Sequence, residues 1–316
     1  MATDAIRPVD AESDLGFGGV ITRRHGYRLI NRDGSFNVRV MRSSRLRNLF
    51  SYHTMITVPW THFFAIIAAA YLLLNMLFAA AYLACGPGAL QGDPHLSLTL
   101  RAFFFSVHTF ATIGYGNVSP VDVSANIVVT VESLVGLTGM AVATGLVFAR
   151  FSRPVPDVRY SRRAVIAPYR DITAFEFRVV NARRNQLLNV DAVVMFSRFE
   201  GEGSVRQRKF YQLKLERKGI AFFPLNWTVV HPIDEASPLW GWDQQMLMES
   251  EAEFAILLTG VDESFSQTVH SRSSYTADEV DFGYRFQMMY TETDRTYELD
   301  LGKLDAVIPD RREITA

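Results

Sequence analysis

Residues 98–120 read LTLRAFFFSVHTFATIGYGNVSP, a stretch that joins a short apolar segment to a glycine-containing sequence. Its first 13 residues, through Phe110, are apolar and aromatic and predict a helix. A helix needs about 20 apolar residues to cross a bilayer, so this one fits a re-entrant helix that enters the membrane and turns back. The sequence Thr112-Ile113-Gly114-Tyr115-Gly116 follows at the turning point.

The glycines of this TIGYG sequence indicate an unusual backbone. They permit conformations that other residues resist, and non-helical backbone exists at membrane depth only where protein buries it or it lines a pore. Carbonyl oxygens that point at one axis can replace the hydration shell of an ion, which requires four chains in a ring. Thr112 then adds its hydroxyl at the inner end, and Ile113 and Tyr115 pack backward. Taken alone, Gly-Tyr-Gly is also compatible with a surface turn.

Two apolar runs flank this stretch, and each is long enough to span a bilayer. Residues 63–84 carry no charge, and residues 125–149 carry only Glu132. The alternative for the first run is a buried helix in a large soluble core. We expect a transmembrane pore domain at 61–153, formed by an outer helix, the pore helix, the filter and an inner helix.

The distribution of arginine predicts the orientation of this domain. Residues 1–62 carry nine arginines, the loop 85–124 carries only Arg101, and five more lie between residues 150 and 163. The positive-inside rule places both termini in the cytoplasm. After a cytoplasmic segment at 1–44, residues 45–60 predict an interfacial slide helix with Trp60 at the headgroup level. The alternative is an ordinary linker helix.

Residues 154–316 predict a different kind of structure. Short runs rich in β-branched and aromatic residues alternate with turn sequences such as GEGS, which is typical of an antiparallel β-sandwich. The whole chain has 316 residues, a net charge of -1 and one cysteine. The single cysteine excludes an intrachain disulfide framework and a Cys-cluster zinc site, and the charge argues against nucleic acid as a partner. No enzyme is predicted, because P-loop, HExxH and nucleophile-elbow motifs are absent.

Two titratable residues lie near the predicted filter. His108 is interpreted as a neutral, hydrogen-bonded residue behind the filter, with a proton sensor as the alternative. Glu132 should face protein or water rather than lipid. We expect a structural partner behind the filter, with the neighbouring chain and the pore itself left open as its surroundings.

The inner helix carries the candidate moving parts. Gly136, Gly139 and Gly145 allow either bending or tight packing. Phe148 lies at the cytoplasmic end, where four copies can form a hydrophobic constriction that gates by dewetting. The alternative for Phe148 is a lipid-facing side chain.

Three further strings accompany TIGYG: GLVFARFSRP at 145–154, LNWTVVHPIDEASPL at 225–239 and GVDESFSQTVHSRSSYTADEVDFGYRF at 260–286. With them the chain resembles the prokaryotic inward-rectifier potassium channels of the KirBac type, and TIGYG resembles the TVGYG filter of potassium channels. The resemblance implies a membrane α + β protein of the bacterial inner membrane. It also implies a homotetramer whose cytoplasmic part, 154–316, is an immunoglobulin-like β-sandwich.

The resemblance also assigns roles to residues. It implies passive K+ conduction with no organic cofactor, Gly136 as a hinge and Phe148 as the gate. The implied K+ ligands are the backbone carbonyls of Thr112, Ile113, Gly114 and Tyr115.

Some positions depart from the family pattern. Met140, an inner-pore position, replaces the acidic residue of strongly rectifying relatives, which weakens the expectation of Mg2+ or polyamines as pore blockers. Glu263 matches an acidic position of the cytoplasmic pore. His108 replaces an acidic residue that supports the filter in many relatives.

A lipid site is implied only in part. Arg150 and Arg153 match basic positions that bind membrane lipid, whereas Pro59 and Thr61 flank Trp60 where eukaryotic relatives have basic residues. Arginines at the inner leaflet attract anionic lipid by roughly 1 kcal/mol each. We therefore expect phosphoinositide or another anionic lipid to modulate gating, with inhibition as the expected sign.

The alternative to a channel is a different class of protein, a membrane-anchored β-sandwich sensor that conducts no ions. A tether needs neither the half-length helix nor TIGYG, and these two features favour the channel.

Overall fold

The computed structural model describes residues 26–38, 52–153, 156–183, 186–201, 206–223, 226–293 and 296–310. The chain forms two compact units. Val40–Arg153 is the helical unit, and Met1–Arg39 joins Pro154–Ala316 in the β unit.

The helical unit has two long helices and a short one between them. Its helices are α1 (Tyr52–Thr57), α2 (Trp60–Ala84), α3 (Leu98–Phe110) and α4 (Val123–Phe151). By length and composition α2 and α4 can cross a membrane, whereas the 13 residues of α3 are too few. The predicted bounds of the short helix are confirmed.

Capping residues set the ends of these helices. The Ser97 side chain accepts the Leu100 N–H at 3.3 Å before α3, and the Asp122 side chain accepts the Ala125 N–H at 2.7 Å before α4. The helix α4 begins directly after its cap Asp122 and ends before Ser152, so it extends beyond the apolar run at 125–149 at both ends. The helix α2 also begins before its apolar run, at Trp60 rather than at residue 63, although Pro59 before it makes no side-chain cap.

The slide helix predicted at 45–60 needs a correction at its end. Residues 45–51 lie outside the described part of the chain. Within it α1 stops at Thr57, and Trp60 opens α2 instead of closing the slide helix. Pro59 separates the two helices because proline lacks the N–H that a continuing helix needs.

A small sheet ties together the two loops of this unit. β1 (Leu90–Gln91) precedes α3 and pairs antiparallel with β2 (Ser119–Pro120), which follows the TIGYG sequence. The loop that contains TIGYG is therefore held at both ends, by α3 and by this sheet.

The β unit contains two five-stranded sheets. Its strands are β3 (Val158–Tyr160), β4 (Ala164–Tyr169), β5 (Ile172–Asn181), β6 (Leu187–Glu200), β7 (Gln207–Gln212), β8 (Gly219–Phe223), β9 (Asn226–Ile233), β10 (Glu253–Asp262), β11 (Gln267–Thr276), β12 (Val280–Phe282), β13 (Tyr284–Phe286), β14 (Tyr290–Thr293), β15 (Thr296–Leu299) and β16 (Val307–Pro309). One sheet has the order β11-β10-β6-β7 with β8 also on β6, and the other β12-β4-β5-β3 with β9 also on β5. The pair β12–β4 is parallel, so the predicted all-antiparallel pairing is wrong at this edge.

The core of the β unit is apolar and aromatic. Phe175, Phe196 and Phe254 pack together at its centre, with a ring separation of 4.2 Å between Phe175 and Phe254. A short helix, α5 (Gln244–Glu249), adds the buried Leu247. The described N-terminal residues 26–38 pack on the same unit, where Leu29 and Ile30 contact Phe210.

Candidate functional site

The chain leaves α3 through two hydrogen bonds that turn it into the TIGYG loop. The Thr112 N–H donates to the Thr109 carbonyl at 3.0 Å, and the Ile113 N–H donates to the His108 carbonyl at 2.8 Å. The loop therefore begins at the C-terminal end of α3, which carries the negative end of the helix dipole.

The φ angles along the loop alternate between the left-handed and the right-handed region. Thr112, Gly114 and Gly116 have φ values of 56°, 64° and 78°, while Ile113 and Tyr115 between them are not in the positive-φ region. Alternation between left- and right-handed φ turns successive peptide groups to the same side of the chain. The loop can thus present a row of carbonyl oxygens on one face, which an ordinary extended strand cannot do.

The side chains of Ile113 and Tyr115 are exposed in the single chain, and Tyr115 also contacts α3. The Tyr115 ring meets the His108 ring edge-on, with centroids 5.0 Å apart, which places His108 beside the loop. In the single chain Tyr115 is 73% exposed and Ile113 is 44% exposed. Two such apolar side chains next to a membrane-depth loop leave a surface that another chain can cover.

Glu132 lies in a polar cluster where α2, α3 and α4 meet. Its carboxyl group is hydrogen-bonded to the hydroxyl groups of Tyr82 and Ser106, and Asn75 completes the cluster. Glu132 is fully buried within its own chain. Both of the surroundings left open for it, the pore and the neighbouring chain, are therefore corrected to partners in the same chain.

Gly136 lies against the end of the pore helix. A Cβ atom there would be 2.6 Å from the Phe110 carbonyl oxygen, whereas one at Gly145 would meet no atom within 4 Å. The helix α4 runs unbroken through both positions. This close approach explains why a residue without a side chain is needed at position 136. The role of Gly136 as a hinge stays a prediction.

The remaining predicted pore residues are exposed in the single chain. Met140 is 56% exposed and Phe148 is 72% exposed, both on α4. Glu263 lies in the turn between β10 and β11, where the Asp262 carboxylate accepts the Ser264 N–H at 2.9 Å.

The two arginines predicted to bind lipid differ in their surroundings. The Arg150 guanidinium donates to the carbonyls of Met55 and Val58 at 2.5 and 2.6 Å and lies 4.4 Å from the centre of the Trp60 ring. Arg153 is exposed. Arg150 therefore joins α1 to the end of α4. Of the two arginines, Arg153 is the one whose side chain is exposed.

Sequence reasoning missed three residues of the Glu132 cluster, Asn75, Tyr82 and Ser106. Asn75 and Ser106 are polar residues in apolar helices, and that signal alone could have identified them. The contact of Arg150 with the α1 carbonyls had no signal, because it joins residues 92 and 95 positions apart.

Comparison with known proteins covers both units. Residues 60–153 match the family described as "Ion channel", and residues 158–312 match "Inward rectifier potassium channel C-terminal domain". The inward rectifier potassium channel Kirbac3.1 of Paramagnetospirillum magnetotacticum is 40% identical over 92% of this chain and 99% of its own length. The inward rectifier potassium channel irk-1 of Caenorhabditis elegans is 28% identical over 90% of this chain and 57% of its own. Human inward rectifier potassium channel 18 is 28% identical over 94% of this chain and 75% of its own.

Two apolar helices that flank a re-entrant helix and the TIGYG loop, followed in the chain by a β-rich domain, define a membrane ion channel. The chain belongs to the inward rectifier potassium channel family, in its prokaryotic KirBac group. Its relatives are channels rather than enzymes, and the family is generally tetrameric and regulated by lipid. The anchored-sensor alternative is therefore set aside.

Proposed function

We propose that four copies of this chain surround an axis and conduct K+ passively through the loop Thr112–Gly116. The observation that carries the proposal is the alternating φ of the loop, because it directs successive carbonyl oxygens to one side. Four such loops can replace the hydration shell of K+. The ion ligands are the carbonyls of Thr112, Ile113, Gly114 and Tyr115, and K+ is the transported ion.

Two further features support this assignment. The C-terminal end of α3 adjoins the loop, and its dipole favours a cation there. The exposed Ile113 and Tyr115 side chains give each loop a surface for the adjacent chain.

Phe148 is proposed as the gate. Its side chain is largely exposed in the single chain, so four copies can meet at the axis and form a hydrophobic constriction that dewets. A bend at Gly136 is the proposed motion that opens it. Because Gly136 packs on Phe110, such a bend also moves the end of the pore helix.

Anionic lipid, phosphoinositide included, is proposed to modulate this gate from the cytoplasmic leaflet. Arg153 is exposed and supplies charge to a headgroup, at about 1 kcal/mol per arginine. Arg150 holds α1 against the end of α4, so that lipid bound beside it acts on the inner helix. The proposed effect is a lower open probability.

The location proposed is the bacterial inner membrane, with both termini in the cytoplasm. Four copies of Glu263 attract cations to the cytoplasmic pore. Mg2+ and polyamines act as weak blockers, because Met140 supplies no charge at the inner-pore position.

Flux measurements in liposomes test the proposal. The purified protein is reconstituted with an internal K+ load, and uptake of rubidium is followed with and without phosphoinositide in the bilayer. We expect uptake that exceeds sodium uptake and falls when phosphoinositide is present. A folded tetramer that passes no rubidium would contradict conduction, and equal uptake in both bilayers would contradict only the lipid effect.

A further inference from the structure

Four polar side chains form a continuous cluster inside the helical unit. The Tyr82 hydroxyl is bonded to Oε2 of Glu132, and the Ser106 hydroxyl to Oε1. Ser106 Oγ also lies 3.0 Å from Oδ1 of Asn75, whose Nδ2 donates to the Tyr71 carbonyl at 2.8 Å. These four side chains belong to residues that are at most 1% exposed, so each polar atom depends on the others.

The number of protons in this cluster does not fit an ionised carboxylate. The orientation of Asn75 is fixed because its Nδ2 donates to a carbonyl, and its Oδ1 must then accept. Ser106 has one proton but faces two acceptors, Oδ1 of Asn75 and Oε1 of Glu132. An ionised Glu132 leaves one of these oxygens without a donor, which is unfavourable for a buried polar group and more so for a charged one.

The charges around the cluster do not offset a buried negative charge either. Among the described residues no cation forms an ion pair with Glu132. The other titratable groups on these three helices are His62, Tyr71 and Tyr82 on α2, Arg101 and His108 on α3, and Arg150 on α4, and Cys85 follows the end of α2. Arg101 donates to loop carbonyls, and His108 contacts the TIGYG loop. A carboxylate buried at membrane depth without a cation is strongly disfavoured.

We infer that Glu132 is a carboxylic acid at neutral pH and donates its proton to Ser106. Tyr82 then donates to Oε2 of Glu132, Oε1 donates to Ser106, and Ser106 donates to Oδ1 of Asn75. Each hydroxyl donates once, and each facing acceptor receives one proton. Other proteins use a neutral carboxylic acid as a hydrogen-bond donor in an apolar site in the same way.

This assignment makes Glu132 a positioning residue for the pore helix. It joins α4 to Ser106 of α3, and Ser106 joins α3 to Asn75 of α2, so two consecutive hydrogen bonds link the three helices. The inference that the position of the pore helix affects ion selection rests on the proposed function. The protonation state itself does not, because it follows from the hydrogen bonds and burial of Glu132 and from the lack of an ion pair to it among the described residues.

Infrared difference spectroscopy of the full-length protein in lipid tests the protonation state directly. We expect the wild type at neutral pH to show the C=O stretch of a protonated carboxylic acid that Glu132→Gln lacks. No such difference would overturn the inference. If Glu132→Gln does not assemble, Ser106→Ala serves instead: the C=O stretch should shift because the acid loses its acceptor, and an unshifted stretch would overturn it.

Rubidium uptake supplies a readout that a purely steric role of Glu132 would not move. Gln matches the neutral acid in shape and can also donate to Ser106. We expect Glu132→Gln to retain more uptake than Glu132→Ala, and to lose the decline in uptake that the wild type shows in strongly alkaline solution. Equal declines in wild type and Glu132→Gln would contradict the inference. A protonated acid in a tetramer that carries no flux would overturn the proposed function and leave this assignment standing.

Discussion

At the scale of single residues, the candidate filter depends on which positions tolerate a left-handed backbone. An L-residue there costs roughly 1–2 kcal/mol, which glycine avoids. Thr112 adopts φ 56° despite its side chain, and its N–H bond to Thr109 holds it in place. Gly114 and Gly116 adopt the same hand without that cost.

Gly114→Ala should abolish discrimination between rubidium and sodium. A Cβ at Gly114 would meet no atom within 4 Å in the single chain, so the effect arises from its φ of 64° and the altered direction of its carbonyl. The measurement is the ratio of rubidium to sodium uptake in liposomes. Gly88→Ala is the matched control, since Gly88 is exposed, has no positive φ and has no atom near its Cβ position. Unchanged discrimination in Gly114→Ala would contradict the assignment of the filter.

His231 in the β unit predicts a dependence of stability on pH. Its ring bonds the Lys214 carbonyl at 2.7 Å and the Ser237 hydroxyl at 2.8 Å, and burial lowers its pKa from the ordinary 6.5. The folded state therefore keeps His231 neutral while the unfolded state takes up a proton below pH 6.5. The contribution of neutral His231 to the free energy of unfolding is complete above pH 6.5 and is lost as the pH falls below it.

The unfolding temperature of the purified protein in detergent, measured between pH 8 and pH 5, tests this sign. The wild type should lose stability on acidification with a limiting slope of about 1.4 kcal/mol per pH unit from this one group. His231→Asn keeps a donor for Lys214 but does not titrate, and it should show a smaller loss. Identical pH profiles would show that His231 is not the group responsible.

At the scale of elements, buried polar contacts fix how segments distant in sequence meet. Within the β unit Glu253 on β10 pairs with Arg208 on β7 at 3.0 Å, with both side chains 2% exposed. Glu253 also accepts the N–H groups of Leu29 and Ile30. Burial lowers the pKa of Arg208, and the carboxylate of Glu253 acts against that shift.

Glu253→Ala should destabilise the protein by about 3–5 kcal/mol, because it leaves Arg208 buried without a counter-charge. It should also release residues 26–38, which hydrogen exchange at Leu29 and Ile30 would detect. Asp157→Ala breaks the exposed Arg159–Asp157 pair and should cost about 0–1 kcal/mol. Similar losses for the two variants, measured by thermal unfolding, would contradict this account of the buried pair.

Phe148→Ala should raise rubidium uptake, because four smaller side chains widen the proposed constriction. Phe151→Ala is a matched aromatic truncation on the same helix. Phe151 packs on Trp60 with ring centroids 4.9 Å apart, so its loss should lower stability more than it changes uptake. If Phe148→Ala assembles normally and its uptake is unchanged, the gate lies elsewhere.

The elements differ in how far the sequence predicted them. The helix α3 was predicted at its true bounds because its apolar pattern and the glycines that follow it are both local. The pairing of β12 with β4 joins residues 280–282 to 164–166, and strand pairing over that separation leaves no local pattern. The Glu132 cluster shows the same limit. The sequence predicted that Glu132 faces protein or water rather than lipid. It could not identify the partners Tyr82 and Ser106, because they come from two other helices.

At the scale of the whole molecule, the single chain is an incomplete structure. Its TIGYG loop has the alternating φ that can present carbonyls to one side, while Ile113, Tyr115, Met140 and Phe148 are all at least 44% exposed. A ring of four chains satisfies both features, since the carbonyls then face a common axis and the apolar side chains meet neighbours or the pore. This arrangement agrees with a family that is generally tetrameric.

The proposed pore requires that the carbonyls of Thr112 to Tyr115 from four chains bind the conducted ion. Anomalous diffraction from crystals of the full-length protein grown in rubidium measures this most directly, because rubidium replaces K+ and can be located by its scattering. The account predicts anomalous peaks on the four-fold axis between successive rings of these carbonyls, and their loss in Gly114→Ala. A well-ordered wild-type tetramer with no rubidium peak between those carbonyls would contradict it.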